Sequence, residues 1–379
     1  MPGRRPLLCT YYPGHHPVPG VSWSEWELVL GARPCFPGHA KPDRPAWGPL
    51  ADDEPATVRR QVTTAAAHGI DGFLCCWWWR PSPASPTGET LRAETLEQAL
   101  LPLLAAPGGP DFSFAPLWVP CWPRHRLPVR LEDPELGDLE RFFPIQPGDL
   151  VALLRRASLL LAHPAAFRVR GRPLLVFFHA WRLVEQLGRA GTASGLATLR
   201  ALAQDELGLP GLFLVASING LGEEGPLVGL GFDSFTSYVW WPDWHGARFQ
   251  DYGALTAARA RDWRTLQQRL EVPYLPSVCV GWDATPRGVS LPLDAAPRRF
   301  PWSPVITGRS PERFALAVQE GLRFLDEVGT PRDHPLLVAS WNEWSEGHYL
   351  EPDERHGSAY LESLARLRGR PRSRPGSED

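Results

Sequence analysis

Residues 336–353 read LLVASWNEWSEGHYLEPD, and this stretch decides how the rest of the chain is understood. Leu336, Leu337, Val338 and Ala339 make a short apolar run suited to a strand buried on both faces. Polarity then arrives at once: Asn342, Glu343, Glu346 and Glu351 stand among Trp341, Trp344 and Tyr349. Carboxylates and an amide set into aromatic walls just beyond a strand end are the composition of a sugar site. Glu343 and Glu346 lie three residues apart, and Gly347 permits the chain to turn there, so both can point into one cleft. Glycosidic cleavage uses one carboxylate that works ionised and one acid kept protonated, and neighbouring Trp rings supply the desolvation that separates the two. A solvated surface loop is the ordinary alternative for a lone pair of glutamates; the interleaved aromatics and asparagine argue against it.

Upstream of this stretch, short apolar runs alternate with helical patterns. Strands are expected at 7–12, 72–77, 114–121, 173–179, 212–217, 234–238, 275–280 and 336–340. Helix punctuation lies between them. Asp53 and Pro55 start one helix, with Val58, Val62 and Ala65 on a single face and Gly69 beyond its end. Ser310 and Pro311 start another, with Phe314, Val318, Leu322 and Leu325 as its buried stripe. Further helices are expected over 89–104, 149–163, 193–207 and 254–270, and none is evident after the fifth strand. The alternation predicts an α/β fold, a single (β/α)₈ TIM barrel with long βα loops at 13–55, 80–88 and 122–148. It occupies residues 1–368, and the Pro-, Arg- and Ser-rich tail 369–379 has a disordered composition.

Composition removes several classes of function. An apolar content of 43% in 379 residues supplies a large core, and a net charge of −3 gives neither a nucleic-acid footprint nor a membrane-attracting basic face. No apolar stretch has the length of a membrane span or of a secretory leader, so the cytoplasm is the expected compartment. The six cysteines form no CxxC pair, and five lie inside strand-like runs, which predicts reduced, buried thiols. Lys41 is the one lysine, so any Schiff-base chemistry would depend on it. Gly220, Gly222 and Gly225 spell GxGxxG, but Glu223 and Glu224 would set two negative charges where a pyrophosphate must lie. No P-loop and no GxSxG elbow is present. The sequence implies no cofactor and no metal, and it specifies no oligomeric state.

At the C-terminal ends of the expected strands, where a barrel of this kind builds its site, the chain carries Tyr12, His15 and His16, then Trp77 and Trp78, His179, Tyr238, and Trp282 with Asp283. With 17 Trp in the chain, flat apolar faces for sugar rings are abundant. Rings that merely plug the barrel mouth are the alternative for any one of them. Asp283 suits either a sugar hydroxyl or the cap of its own turn, and Glu351 either the cleft or an ion pair with Arg287.

SWNEWSEGHYLEPD resembles the signature of the WbsX-type glycosyltransferase family, which is similar to the glycoside hydrolase family 99 endo-α-mannosidases. The likeness recurs in the family's order at TYYPGHHPVPG, SEWELVLGARPCFPGHAKP, HGIDGFLCCWWW, GFDSFTSY and GWDATPR. It implies that Glu343 acts as a base on the sugar's own 2-hydroxyl, giving an epoxide-like intermediate, and that Glu346 acts as general acid and then base. It also places His16 in the cleft; with the strand-end residues Tyr12, Trp77, Trp78, His179, Tyr238, Trp282 and Asp283 and the motif residues Trp341, Asn342, Trp344 and Glu351, this completes the expected set of substrate contacts. Where the family pattern resembles CWANENW, this chain reads PCWPRHRLP, so the amide and acid expected there are replaced by Arg124, His125 and Arg126. The expected activity is a retaining glycoside hydrolase on an α-linked, mannose-containing glycan. A WbsX-type glycosyltransferase in surface-polysaccharide assembly and a non-catalytic carbohydrate-binding barrel stand as alternatives, and a glycan is the expected partner in each.

Overall fold

The computed structural model describes residues 4–16, 24–82, 85–91, 95–123, 127–133, 140–142 and 144–369. All eight expected strands are present: β1 (Leu7–Tyr11), β2 (Gly72–Ser82), β3 (Ser113–Trp118), β4 (Arg172–Phe177), β5 (Phe213–Ser217), β6 (Ser234–Thr236), β7 in two pieces (Tyr274–Leu275 and Ser277–Cys279) and β8 (Leu336–Ala339). They pair in parallel and in sequence order from β1 to β6. The ring closes through β7. Its first piece pairs with β6, its second with β8, and β8 pairs with β1. Pro276, which has no N–H to give a ladder, separates the two pieces, and its carbonyl accepts the Leu337 N–H at 3.1 Å.

Two apolar shells explain why these runs are hydrophobic without alternation. Leu8, Leu74, Cys76, Ala115, Leu117, Leu174, Val176, Phe213, Val215 and Leu337 fill the barrel. Their strand neighbours, among them Leu7, Cys9, Phe73, Cys75, Phe114, Leu175, Phe177, Leu214 and Val338, pack outward against the helices. Successive residues of a strand face opposite sides, so a strand covered on both sides must be apolar at every position.

Among the described residues the α-helices are α1 (Glu25–Gly31), α2 (Pro55–Ala67), α3 (Leu101–Ala105), α4 (Pro147–Leu161), α5 (Trp181–Asp205), α6 (Tyr252–Arg269), α7 (Pro311–Glu327) and α8 (Ala359–Leu367). Ser310 caps α7, its side chain accepting the Arg313 N–H. For α2 the cap position falls on Glu54 rather than Asp53. The β5–β6 connection is made of turns, as expected, with the Glu223 and Glu224 carboxylates accepting the Asn219 and Gly222 amides. Two expectations fail. The helix placed over 89–104 begins only at Thr95, as a π-helical turn leading into α3. Ahead of it Ser85–Leu91 is a strand that folds back on an extended β2, so the loop expected at 80–88 is part of a hairpin. Trp77, Trp78 and Trp79, whose rings favour extended backbone, carry β2 past the barrel rim, and the pairing there overrides the helical periodicity. The tail from residue 370 and Arg124–Arg126 lie outside the described residues.

Candidate active site

β8 ends at Ala339, and the chain turns back on itself. Asn342–Glu343 pairs antiparallel with His348–Tyr349. Trp344–Glu346 between them forms one 3₁₀ turn, closed by Gly347 at φ 70°. Side chains at i and i+3 eclipse one another in such a turn, so Glu343 at its start and Glu346 at its end leave on one side. Ser340 supports the hairpin from beneath: its hydroxyl donates to the His348 carbonyl at 2.6 Å and accepts the Glu343 N–H at 3.0 Å.

Arg287 sits against both carboxylates. Its Nη2 donates to Glu343 Oε1 at 2.7 Å, its Nη1 donates to Glu346 Oε1, and its Nε donates to Ser345 Oγ at 2.8 Å. A third acid, Glu25 of α1, lies 3.7 Å from Nη2 and accepts the Tyr12 hydroxyl at 3.0 Å. The remaining oxygens of the pair are also bonded. Tyr238 donates its hydroxyl to Glu343 Oε2 at 2.9 Å, and His348 Nε2 lies 3.0 Å from Glu346 Oε2.

One guanidinium cannot neutralise three buried acids, and burial decides which gives way. Desolvation pushes the Glu343 carboxyl up, Arg287 opposes this, and the charges of Glu346 and Glu25 add to it. Desolvation acts on Glu346 as well, but Arg287 and His348 overcome it and hold that carboxyl below the usual range. Burial also lowers His348, so its imidazole is neutral and donates through Nε2–H. At rest the pair therefore carries its proton on Glu343 and its charge on Glu346. This is the reverse of the order that the family likeness implies.

Several expected substrate contacts instead build the frame. Asn342 donates to the Tyr12 carbonyl and accepts the Tyr12 N–H, both at 2.8 Å, which ties the loop after β8 to the loop after β1. Trp341 and Trp344 are 0% exposed. Both indoles donate inward to Glu351, at 3.1 and 2.7 Å, and Gln61 donates to it at 2.7 Å. Glu351 is thus a buried acceptor for two indoles and an amide, and Arg287 bonds Glu343, Glu346 and Ser345 instead. Trp77 is buried in the outer shell against Trp79. Trp78, one residue on, turns into the barrel and meets Tyr12 edge to face at 5.4 Å.

Asp283 caps its own turn, accepting the Thr285 N–H and hydroxyl at 3.2 and 2.6 Å. Its other oxygen lies 2.8 Å from His39 Nε2 and 3.1 Å from Lys41 Nζ. The Cys35 N–H donates to His39 Nδ1, which leaves Nε2 as the donor to Asp283. Burial raises Asp283, but Lys41 and His39 outweigh it and hold the carboxyl far below its ordinary value. Lys41 is correspondingly raised against its own burial by Asp283 and Asp43, so it is an ion-paired cation rather than a nucleophile.

Of the other expected contacts, His16 Nδ1 lies 2.5 Å from Asp52, which also accepts the His15 N–H at 3.0 Å. His179 stands beyond β4 at φ 48°, beside Asn219 and Trp181. Burial and Arg182 lower it to about 4, so it is neutral. Trp282 stacks on His348 at 5.5 Å and 12°, backing the group that bonds Glu346. The cluster thus unites Glu343, Glu346, Tyr238 and Trp282, directly or through one intermediary, and Tyr12 through Glu25 and Arg287.

Sequence reasoning missed Glu25, Ser345 and His348, and considered Arg287 only as a partner of Glu351. The signal was present: Glu25 lies in SEWE and Arg287 ends GWDATPR, both segments that carry the family likeness. Among the described residues no three His, Cys, Asp or Glu side chains converge as metal ligands. No helix of the described residues is long and apolar enough to cross a membrane.

Comparison with known proteins bears on the fold and the family. Two proteins described as "Uncharacterized protein WxcX", from two strains of Xanthomonas campestris pv. campestris, are each 28% identical over 378 residues, covering 94% of this chain and 48% of theirs. The chain thus spans about half the length of these relatives. Among solved structures, a glycoside hydrolase-like protein superposes with a TM-score of 0.63 at 13% identity, covering 96% of this chain and 94% of its own. The GH99 endo-α-mannosidase from Bacteroides thetaiotaomicron superposes with a TM-score of 0.57 at 15% identity, covering 95% of each chain. These likenesses show a shared barrel fold. The family model described as glycosyltransferase WbsX matches residues 7–120 and 146–364, and the chain belongs to that family.

Proposed function

We propose that the chain is a glycoside hydrolase that cleaves an α-linked, mannose-containing glycan with retention, using Glu343 and Glu346. The observation that carries this reading is the pair itself: two eclipsed carboxylates beyond the last barrel strand, sharing one proton against one guanidinium. Such a pair supplies the base and the acid that glycosidic cleavage requires. In the role order taken from the family likeness, Glu343 removes the proton of the 2-hydroxyl as O2 displaces the leaving oxygen at C1, and Glu346 protonates that oxygen. Water then opens the three-membered ring at C1 with Glu346 as base, Glu343 returns its proton to O2, and the anomeric configuration is retained.

That order needs the proton on Glu346. Arg287 is the group that holds Glu346 ionised, so substrate that draws the guanidinium off Glu346 moves the proton to the residue that must donate it. The test is incubation with α-mannan fragments in the absence of any nucleotide sugar. Release of new reducing ends that are initially α-configured supports the proposal. Turnover that depends on an added sugar nucleotide overturns it in favour of a transferase, the reading that membership of the WbsX family favours.

A further inference from the structure

A feature of the mouth remains unexplained by the carboxylate pair. Trp244 is 41% exposed, an unusual position for an indole on an ordered segment. The turn that carries it is tightly held. Gln250 accepts the Asp243 N–H at 2.8 Å and donates to the Asp243 and Ala247 carbonyls at 2.6 and 2.9 Å, while the Asp243 side chain accepts the His245 N–H at 3.1 Å. The following residues, Phe249–Asp251, pair with Val305–Thr307. The indole is thus presented on a rigid support.

That support is continuous with the site. Trp244 meets Trp282 edge to face at 5.3 Å, Trp282 stacks on His348 at 5.5 Å, and His348 lies 3.0 Å from Glu346. Phe249, 38% exposed on the same turn, packs on Phe36 at 4.7 Å. Phe36 stacks on His39 at 4.1 Å, and His39 bonds Asp283, the neighbour of Trp282. Two exposed rings therefore stand on one lip, each backed by a chain of contacts ending beside Glu346.

We infer that Trp244 is a sugar-stacking platform outside the reacting position, where a pyranose ring further along the same glycan chain lies on the indole. An exposed aromatic face with a buried aromatic behind it binds the apolar face of a pyranose and leaves the hydroxyls in water. The occupant is thus an oligosaccharide segment, and the enzyme prefers chains that reach from Glu346 to Trp244 over short glycosides. This inference rests on the glycan-processing reading above.

The test uses the full chain, as wild type, Trp244→Ala and Trp244→Phe, with linear α-manno-oligosaccharides of increasing length. Wild type is expected to gain about tenfold in kcat/KM once the chain is long enough to reach the platform. Trp244→Ala loses that gain and leaves the shortest cleaved substrate and the pH profile unchanged, while Trp244→Phe keeps most of it. A length-dependent gain that survives in Trp244→Ala overturns the inference, as does wild type without any gain. Binding of the same series, followed by saturation-transfer NMR, separates this outcome from failure of the hydrolase reading. Length-dependent binding lost in Trp244→Ala supports the platform even where no bond is cleaved. Equal binding by both proteins, or none by either, overturns it.

Discussion

The backbone N–H of Asp283 donates to the carbonyl of Glu346 at 2.8 Å, and Gly347 follows in the left-handed region at φ 70°. A Cβ on Gly347 would lie 2.9 Å from the Asp283 nitrogen and 3.0 Å from its Cβ. The loops after β7 and β8 therefore touch at a point where only glycine fits, and that contact sets the direction of the Glu346 side chain. Gly347→Ala should cost roughly 1–2 kcal/mol for the backbone conformation alone. Its turnover should fall at least about tenfold, since small displacements of a catalytic group are costly. Thermal unfolding and kcat measured together check this; a fully active variant would show that the contact does not position Glu346.

Glu343→Gln and Glu346→Gln should both abolish turnover yet move stability in opposite directions at neutral pH. Burial raises Glu343, so above the ordinary carboxylate value the unfolded chain ionises while the folded chain keeps the proton; stability falls as pH climbs, and a neutral amide removes that loss. Glu346 is held low by Arg287 and His348, and its removal leaves a buried guanidinium short of a partner. Glu343→Gln is expected to unfold at or above the wild-type temperature. Glu346→Gln is expected to lose about 3 kcal/mol. Equal destabilisation of the two would refute the assigned resting proton.

Arg287→Gln tests the shared guanidinium. Removing a cation from beside two carboxylates raises both apparent titrations of the pair, so both limbs of the pH–activity profile should move to higher pH by about one unit or more. Residual activity suffices for the measurement. Limbs that stay in place would assign Arg287 to packing.

Asp283→Asn should destabilise the fold by about 3 kcal/mol, because it leaves Lys41 and His39 beside a neutral amide in a buried site. In the wild type the depressed Asp283 carboxyl contributes stability that is complete above the ordinary carboxylate range. That contribution is lost as pH falls below it. Chemical denaturation of both proteins from pH 7 downward should therefore show the gap narrowing with acid. A gap that is constant with pH excludes the ion pair as its source.

Much of this architecture is local and was legible. The eight strands follow from apolar runs with turn signals at their ends, and the start of α7 follows from Ser310 and Pro311. The position of Glu343 and Glu346 just beyond the last strand comes from the same kind of pattern. What failed locally was the segment after β2, where pairing beyond the barrel rim outcompeted a helical periodicity.

Residue order determined the kind of fold and the acids it delivers, because strand, turn and cap preferences act between near neighbours. Which ring faces the barrel interior was left open: Trp77 and Trp78 point to opposite sides of β2, and a strand covered on both faces carries no polar mark to say which side is the interior. The partners that set the chemistry were equally hidden. Arg287 meets Glu343 across 56 positions of chain, and Asn342 meets Tyr12 across 330. Only closure of the barrel brings such groups within hydrogen-bonding distance, and only there does burial decide which carboxyl keeps the proton.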